Sequence, residues 1–255
     1  MKRILFILFV ITLAACNSIG TKPTITDEAF NPSIDSLYAQ CQELKGLGNL
    51  QIGKTTLRQV KRDKGITMPE FMRSPSFING HWGISALSNY ELGEYLDKKA
   101  TSIKQFQISD CIHKYKIGEI EIEDVCLAFY RDTLVAISFD CTGDILNHYI
   151  EKYGNGKGNK YTYSFVKGKY GTPNFTFESK HIENRTWANE RVTMEYKYHW
   201  EQRTAPNERD RILSSESCII SSNSRYDLFL STLEKYKAQY REEQSAKKKA
   251  SFDSL

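Results

Sequence analysis

The amino-acid sequence predicts an α+β fold: an antiparallel sheet with amphipathic helices packed on one face and a further helix at the C-terminus. Two observations carry this prediction. Short runs between residues 103 and 222 alternate apolar and polar residues, which is the period of a half-buried strand. The segments around them place apolar residues at three-and-four spacing, which is the period of an amphipathic helix.

The first fifteen residues predict an export signal. Lys2 and Arg3 precede an apolar run from Ile4 to Leu13, and two alanines separate this run from Cys16. The run is about half the roughly 20 residues that a bilayer-spanning helix needs, so a signal peptide is favoured over a transmembrane helix. An ordinary secretory signal with a chance cysteine is the remaining alternative.

The end of this signal, Leu13-Ala14-Ala15-Cys16, resembles the bacterial lipobox. The resemblance implies that the thiol of Cys16 receives a lipid, and that cleavage leaves Cys16 as the new N-terminus. Lipid attachment requires a nucleophilic thiolate, which explains why a cysteine stands at this position. We therefore expect a protein of the cell envelope, lipid-anchored to the outer membrane and facing the periplasm or the surface.

The chain divides into four predicted parts. Residues 1–15 are the signal peptide, 16–31 a lipid-anchored polar tether, 32–240 the α+β domain and 241–255 a polar tail. Without Lys2 and Arg3 the mature chain has 33 basic and 31 acidic residues, a formal charge of +2. This near balance predicts no nucleic-acid partner.

Helices are predicted where capping residues adjoin apolar stripes. The first is capped by Asn31, carries Ile34, Leu37, Tyr38, Cys41 and Leu44 on one face and closes at Gly46. The second begins at Thr55 or Thr56 and stops at Gly65. Residues 66–87 are predicted as a long loop, and Ser88 begins a helix through about Leu96. A further helix spans about Asp144–Tyr153. The last opens at Ser224, and its stripe favours packing on the sheet over a partner helix: Tyr226, Phe229, Leu233, Tyr236 and Tyr240.

The clearest strands form a hairpin, Val125–Tyr130 and Leu134–Phe139, with a turn at Arg131-Asp132. A glycine-rich run, Gly154–Asn159, predicts a mobile loop. Other strands are predicted at Leu50–Gly53, around Phe106 and Ile108, at Ile117–Ile122, Tyr161–Val166, Thr186–Asn189, Val192–Trp200 and Cys218–Ser222. Within Val192–Trp200 the alternation predicts one packed face and one wet face.

Five cysteines remain besides Cys16: Cys41, Cys111, Cys126, Cys141 and Cys218. An oxidising compartment permits disulfides, but an odd number leaves at least one thiol free or paired with another chain. Most lie in apolar runs, which favours buried, inert thiols. Cys111-x-His113 is at most half of a metal site, so no metal or cofactor is predicted.

One segment matches the nucleotide-binding P-loop pattern in every fixed position: Gly48-Asn49-Leu50-Gln51-Ile52-Gly53-Lys54-Thr55. A P-loop follows a buried strand, whereas a helix end precedes Gly48. The alternation of Leu50-Gln51-Ile52 instead predicts a strand, a turn and a capped helix. An exported protein also meets almost no nucleoside triphosphate, so nucleotide binding is not predicted.

No catalytic residue is predicted. Gly83-Ile84-Ser85 lacks the second glycine of a nucleophile elbow, and His81-Trp82 is interpreted as a packed anchor within a loop. Glu119, Glu121 and Glu123 share one strand face, which favours a solvated edge over an acid–base pair.

Two segments resemble known lipoproteins. The run from Leu50 through Leu57 to Val60, matched at Gly53, Thr55 and Val60, resembles the opening of the small lipoprotein subunit of the outer-membrane β-barrel assembly machinery, with an echo at Thr142–Ile150 and Gly154. Phe129-Tyr130-Arg131-Asp132-Thr133-Leu134 resembles a hairpin of poorly characterised lipoproteins. The resemblance implies a helix-and-antiparallel-sheet scaffold in which binding is more typical than catalysis.

The expected function is a non-enzymatic binding or scaffold module, tied to the membrane through Cys16 and contacting an envelope protein. One alternative is a hydrolase of envelope glycans or peptides, which would show a pocket holding a histidine or carboxylate pair with perturbed pKa values. The other is a sugar- or lipid-binding module, which would expose Trp82, Trp187 and Trp200.

Overall fold

The structure, a computed structural model, describes residues 22–62, 106–108, 112–141, 143–168, 175–204 and 211–253. Strands make up 50% of these residues and helices 30%. The strands are β1 (Thr24–Phe30), β2 (Gly46–Leu47), β3 (Leu50–Gln51), β4 (Phe106–Ile108), β5 (Ile112–Ile117), β6 (Ile120–Tyr130), β7 (Thr133–Phe139), β8 (Lys157–Lys167), β9 (Thr176–Ala188), β10 (Val192–Thr204) and β11 (Arg211–Ser222). The helices are α1 (Ile34–Gln40), α2 (Leu57–Arg62), α3 (Gly143–Tyr153) and α4 (Tyr226–Asp253).

The fold is mostly β. Nine strands form an antiparallel sheet in the hydrogen-bonded order β1-β8-β9-β10-β11-β7-β6-β4, with β5 paired to β6. The prediction of amphipathic helices layered on one face is therefore wrong. Its physical reason is length: α1 has 7 residues and α2 has 6, too few to cover a sheet, and Leu37 is the buried residue of α1. The C-terminal helix α4 contacts β4, β6 and β7.

The chain divides into two compact units. The open-sheet unit contains the described residues within Met1–Asn31, Lys157–Arg185 and Lys197–Glu216. The core unit contains those within Pro32–Gly156, Thr186–Tyr196 and Ser217–Leu255. The strands β9, β10 and β11 each continue from one unit into the other.

The core unit is built around the predicted hairpin, which is confirmed as β6 and β7. Arg131 and Asp132 both have positive φ, 51° and 59°, which is the geometry of a two-residue type I′ turn. Residues 125–129 and 134–139 are all buried, so both faces of the hairpin are covered. On one face, Phe229, Leu233 and Tyr236 of α4 pack on Cys126, Ala128, Val135 and Ala136. The predicted stripe of the last helix therefore packs on the sheet.

Two other predicted helices of the core unit are confirmed. The hydroxyl of Thr56 accepts from the amide of Gln59 at 3.2 Å, and the Gln59 side chain accepts from the amide of Thr56 at 2.7 Å, so Thr56 caps α2. Helix α3 matches the prediction closely and ends at Gly154, which has φ 73°. Its Tyr149 ring lies 5.9 Å from that of Trp187.

Two local predictions in the core unit are wrong. Helix α1 is capped by Ser33 rather than Asn31 and ends at Gln40, while Gly46 belongs to β2. Ile34, predicted to face inward, is 63% exposed. The segment Gly154–Asn159, predicted as a mobile loop, is a short turn that leads into β8 at Lys157. A Cβ at Gly156 would lie 3.0 Å from the Trp187 ring, so this glycine permits close packing.

The open-sheet unit contains β1, β8 and the adjoining parts of β9, β10 and β11. The strand β1 pairs with β8 over seven residue pairs, from Thr24↔Ser164 to Phe30↔Gly158. The predicted tether therefore includes an edge strand. Among the described residues of this unit, Glu183 and Arg185 are the buried ones, at 5% and 6% exposure, and no apolar side chain is buried.

The predicted polar tail from residue 241 is the exposed continuation of α4. The predicted signal peptide, the loop at 66–87 and the helix from Ser88 lie outside the described residues. Among the described residues, none belongs to a helix long and apolar enough to cross a membrane.

Candidate functional site

The segment that matches the P-loop pattern folds as a hairpin followed by a helix cap, as the alternation predicted. β2 and β3 pair through Leu47↔Leu50, and Gly48 at the turn has φ 56°. Several amides of this segment donate within the protein. Asn49 donates to the Tyr115 hydroxyl, Gly53 to the Leu134 carbonyl and Thr55 to the Gln51 carbonyl. Amides already committed in this way do not converge on a phosphate.

A pocket of about 290 Å³ adjoins this hairpin. It is lined by Asn49, Leu50, Gln51, Lys54, Thr55, Gln59, Val60 and Tyr115. The Tyr115 hydroxyl is held in place, since it also donates to the Leu47 carbonyl at 3.1 Å. The described lining residues offer amide, hydroxyl and ammonium groups but no carboxylate, histidine or thiol. These groups suit a small polar solute.

The cysteines separate into two kinds. Cys126 is disulfide-bonded, whereas Cys41, Cys141 and Cys218 form no disulfide and are buried, which agrees with the apolar runs around them. Burial raises the pKa of the Cys41 thiol, and a hydrogen bond with the Ala188 backbone partly opposes this shift. The raised pKa keeps the thiol protonated. Cys16 and Cys111 lie outside the described residues.

The other sequence-level candidates do not assemble into a catalytic site among the described residues. Glu121 pairs with Lys114 at 2.7 Å, and Glu123 is exposed on the same strand, whereas Glu119 lies in the turn before β6 rather than on the strand. No group of three His, Cys, Asp or Glu side chains in the described part of the chain lies close enough to hold a metal ion. Gly83-Ile84-Ser85, His81-Trp82 and Cys111 lie outside that part, as does the side chain of His113.

Of the two described tryptophans, Trp187 is inaccessible to a sugar. Trp187 is fully buried, and its indole Nε1 donates to the Gly154 carbonyl at 2.8 Å. It therefore anchors the turn into β8. Trp200 is half-buried on β10, and Trp82 lies outside the described residues.

Sequence reasoning missed a charged cluster on one face of the open-sheet unit. Glu183 binds Arg185 through one carboxylate oxygen, and its other oxygen lies 3.5 Å from His181 Nε2 and 4.0 Å from Lys160 Nζ. The Arg185 guanidinium stacks on the Phe30 ring at 4.3 Å. Burial, followed by the Lys160 charge, lowers the pKa of His181, while Glu183 opposes this shift. The sequence signal that could have revealed this cluster is a long strand with charged residues at alternate positions.

The opposite face of the open-sheet unit carries a pocket of about 270 Å³. Its lining residues are Tyr163, Glu178, Ser179, Lys180, Glu201, Gln202 and Arg203. Arg203 pairs with Glu178 at 3.4 Å, and both side chains are more than one-third exposed. Aromatic and arginine side chains on an exposed sheet are typical of recognition surfaces. His181, the histidine with a lowered pKa, lines neither of the two pockets described here.

No protein-family model, curated protein or solved structure matches the chain.

Proposed function

We propose that this chain is a lipid-anchored protein of the cell envelope that acts by binding a partner protein, and that the open-sheet unit provides the binding surface. The observation that carries the proposal is the open-sheet unit itself. Its described strands bury no apolar side chain, and Glu183 and Arg185 are the buried pair. A sheet without an apolar core of its own gains stability by covering its faces.

The residues on these faces suit a protein partner. Tyr161 and Tyr163 lie on the same face as the pocket around Arg203, and both are half-buried. Tyrosine and arginine carry much of the binding energy in protein interfaces, because they combine apolar area with hydrogen-bonding groups. The resemblance of Gly53, Thr55 and Val60 to an assembly-machinery lipoprotein agrees with a scaffold role.

Two features support an envelope location. The sequence places an apolar run and a lipobox-like segment before Cys16. The disulfide at Cys126 belongs to an oxidising compartment rather than to a reducing cytosol.

Site-specific photocrosslinking in intact cells tests the binding surface. A photoreactive phenylalanine analogue replaces Tyr161 or Tyr163, and in the control it replaces Tyr38, a half-buried tyrosine of α1 in the core unit. We expect reproducible adducts of defined mass from the first two positions and none from Tyr38. Equal adducts from all three positions, or none from Tyr161 and Tyr163, would contradict the proposal.

A separate experiment tests the anchor. Cys16→Ser removes the thiol that receives the lipid, so we expect an unprocessed and unlipidated precursor, detected by mass spectrometry and by detergent-phase partitioning. If the Cys16→Ser protein still partitions with membranes after signal removal, the lipid anchor is not at Cys16.

A further inference from the structure

We infer that one end of the open-sheet unit is a second membrane contact, built to rest on anionic phospholipid headgroups. We call this region the hairpin end. It is the end at which β1 and β11 begin and at which β8 and β10 finish. The inference rests on the proposed lipid anchor, and it adds which part of the protein meets the membrane and through which lipid chemistry.

Chain length places the hairpin end near the anchor. The strand β1 begins at Thr24, and its register opposite Ser164 puts that residue at the hairpin end. Between Cys16 and Thr24 the fully extended chain spans at most about 29 Å. A lipid on Cys16 therefore keeps Thr24, and with it the hairpin end, within about 29 Å of the headgroups.

The charge at the hairpin end complements an anionic surface. Its described cations are exposed and come from four different places in the chain: Lys22, Lys167, Arg203 and Arg211. Three described acidic side chains lie near them: Asp27, Glu178, which pairs with Arg203 at 3.4 Å, and Glu201. Among the described residues of the hairpin end, the four cations therefore exceed the three acids by one. Clustered lysine and arginine near a membrane are attracted to anionic lipids.

Exposed apolar side chains accompany these cations. Among the described residues the large apolar side chains that are exposed are Ile25, Ile34, Ile212, Leu213, Leu228 and Phe252. Half of this set lies within three residues of the first residue of β1 or β11. These residues are Ile25, which is 58% exposed, Ile212 at 60% and Leu213 at 41%. Apolar side chains beside cations are typical of surfaces that lie in the membrane interface. A single acyl chain binds membranes only reversibly, so a protein anchored by lipid gains from such a second contact.

Vesicle binding tests the inference without the lipid. The chain from residue 17 onward contains every described residue, and it is mixed with vesicles of phosphatidylcholine alone or of phosphatidylcholine and phosphatidylglycerol in equal parts. We expect co-sedimentation with the anionic vesicles that weakens as salt is added. Each cation removed at the surface should weaken binding about fivefold, so Lys167→Gln with Arg211→Gln should weaken it about 25-fold.

The controls match these changes in charge and exposure. Lys247→Gln with Lys248→Gln removes the same charge from exposed positions of α4 and should leave binding nearly unchanged. Ile212→Ser should weaken binding, whereas Ile34→Ser, at a similarly exposed isoleucine of α1, should not. Circular dichroism confirms that each variant is folded.

Three outcomes overturn the inference: equal binding to both kinds of vesicle, no binding to either, or an equal loss in the α4 control. These outcomes are separable from failure of the anchor. A Cys16→Ser protein that remains membrane-bound after processing contradicts the anchor, whatever the vesicles show. If the native protein carries the lipid but its lipid-free chain does not bind anionic vesicles, the anchor stands and the second membrane contact is contradicted.

Discussion

Glu183 and Arg185 form a buried ion pair in a unit that buries no apolar side chain among its described residues. The two residues are separated by one position on the same strand, so their side chains share a face. Taking two charges out of water is costly, and their attraction offsets that cost only while both are present. The ion pair is therefore expected to fix the geometry of the two side chains rather than to add net stability.

This balance predicts a strongly non-additive pair of variants. Glu183→Ala leaves the Arg185 guanidinium buried without a counter-charge and should lower the free energy of unfolding by about 3 kcal/mol. Glu183→Leu combined with Arg185→Leu removes both charges and should come within about 1 kcal/mol of the wild type. Urea unfolding measures both. Additive losses would show that the pair does not act as a coupled unit.

A second prediction at this scale concerns pH. Burial and the Lys160 ammonium lower the pKa of His181 in the folded protein. A folded pKa below the unfolded value of about 6.5 means that the unfolded chain binds more protons in this range. Stability is then fully present above about pH 6.5 and falls as the pH drops through that value toward the folded pKa.

The measurement is the free energy of unfolding as a function of pH. His181→Asn should reduce its fall on acidification. Identical pH profiles for the wild type and His181→Asn would remove His181 as the cause.

Among the elements, the β6–β7 hairpin and the helices α3 and α4 could be predicted, because their signals are local. Alternation, a two-residue turn and an apolar stripe need no knowledge of distant residues. The helix α1 was misplaced because its apolar residues, Ile34 among them, do not all turn inward. The glycines after Tyr153 were wrongly predicted to form a mobile loop. The Trp187 ring packs closely against Gly156, and Trp187 lies far along the chain, so no local pattern shows why a glycine is required there.

The turn of that hairpin yields a prediction with an internal control. Asp132 has φ 59°, a left-handed conformation that disfavours a residue with a side chain. Asp132→Gly should therefore raise the free energy of unfolding by about 1 kcal/mol. Gly118, with φ 61° and open space around it, should show the reverse, with Gly118→Ala losing about 1 kcal/mol. Denaturant unfolding checks both, and a change of the same sign in the two variants would contradict the explanation.

For the whole molecule, the sequence predicted the wrong balance of helix and strand. It treated residues 16–31 as tether and did not reveal that β8 to β11 extend into a unit without an apolar core. These strands carry half-buried residues on both faces, Tyr163 and Glu178 among them. Apolar and polar residues therefore do not alternate with period two, which is the pattern that marks a strand with one covered face. The candidate binding surface depends on register between distant strands, and the sequence carries no local signal for it.

The disulfide gives a prediction for the protein as isolated from cells. Peptide mapping without reductant should find Cys126 in a disulfide-linked peptide. Cys41, Cys141 and Cys218 should resist alkylation until denaturant exposes them, because all three are buried. Alkylation of Cys126 in the native, unreduced protein would contradict the disulfide. A link to Cys16 would contradict lipidation, since a sulfur in a thioether forms no disulfide.

The pairing of β1 with β8 has a consequence for how the protein is made. A chain exported N-terminus first releases residues 24–30 long before residues 158–164, which are their hydrogen-bonding partners. Contacts between such distant segments form late in folding. The strand β1 is therefore expected to join last. Until it does, residues 24–30 lack their hydrogen-bonding partners, which leaves time for the proposed lipidation of Cys16 before this pairing forms.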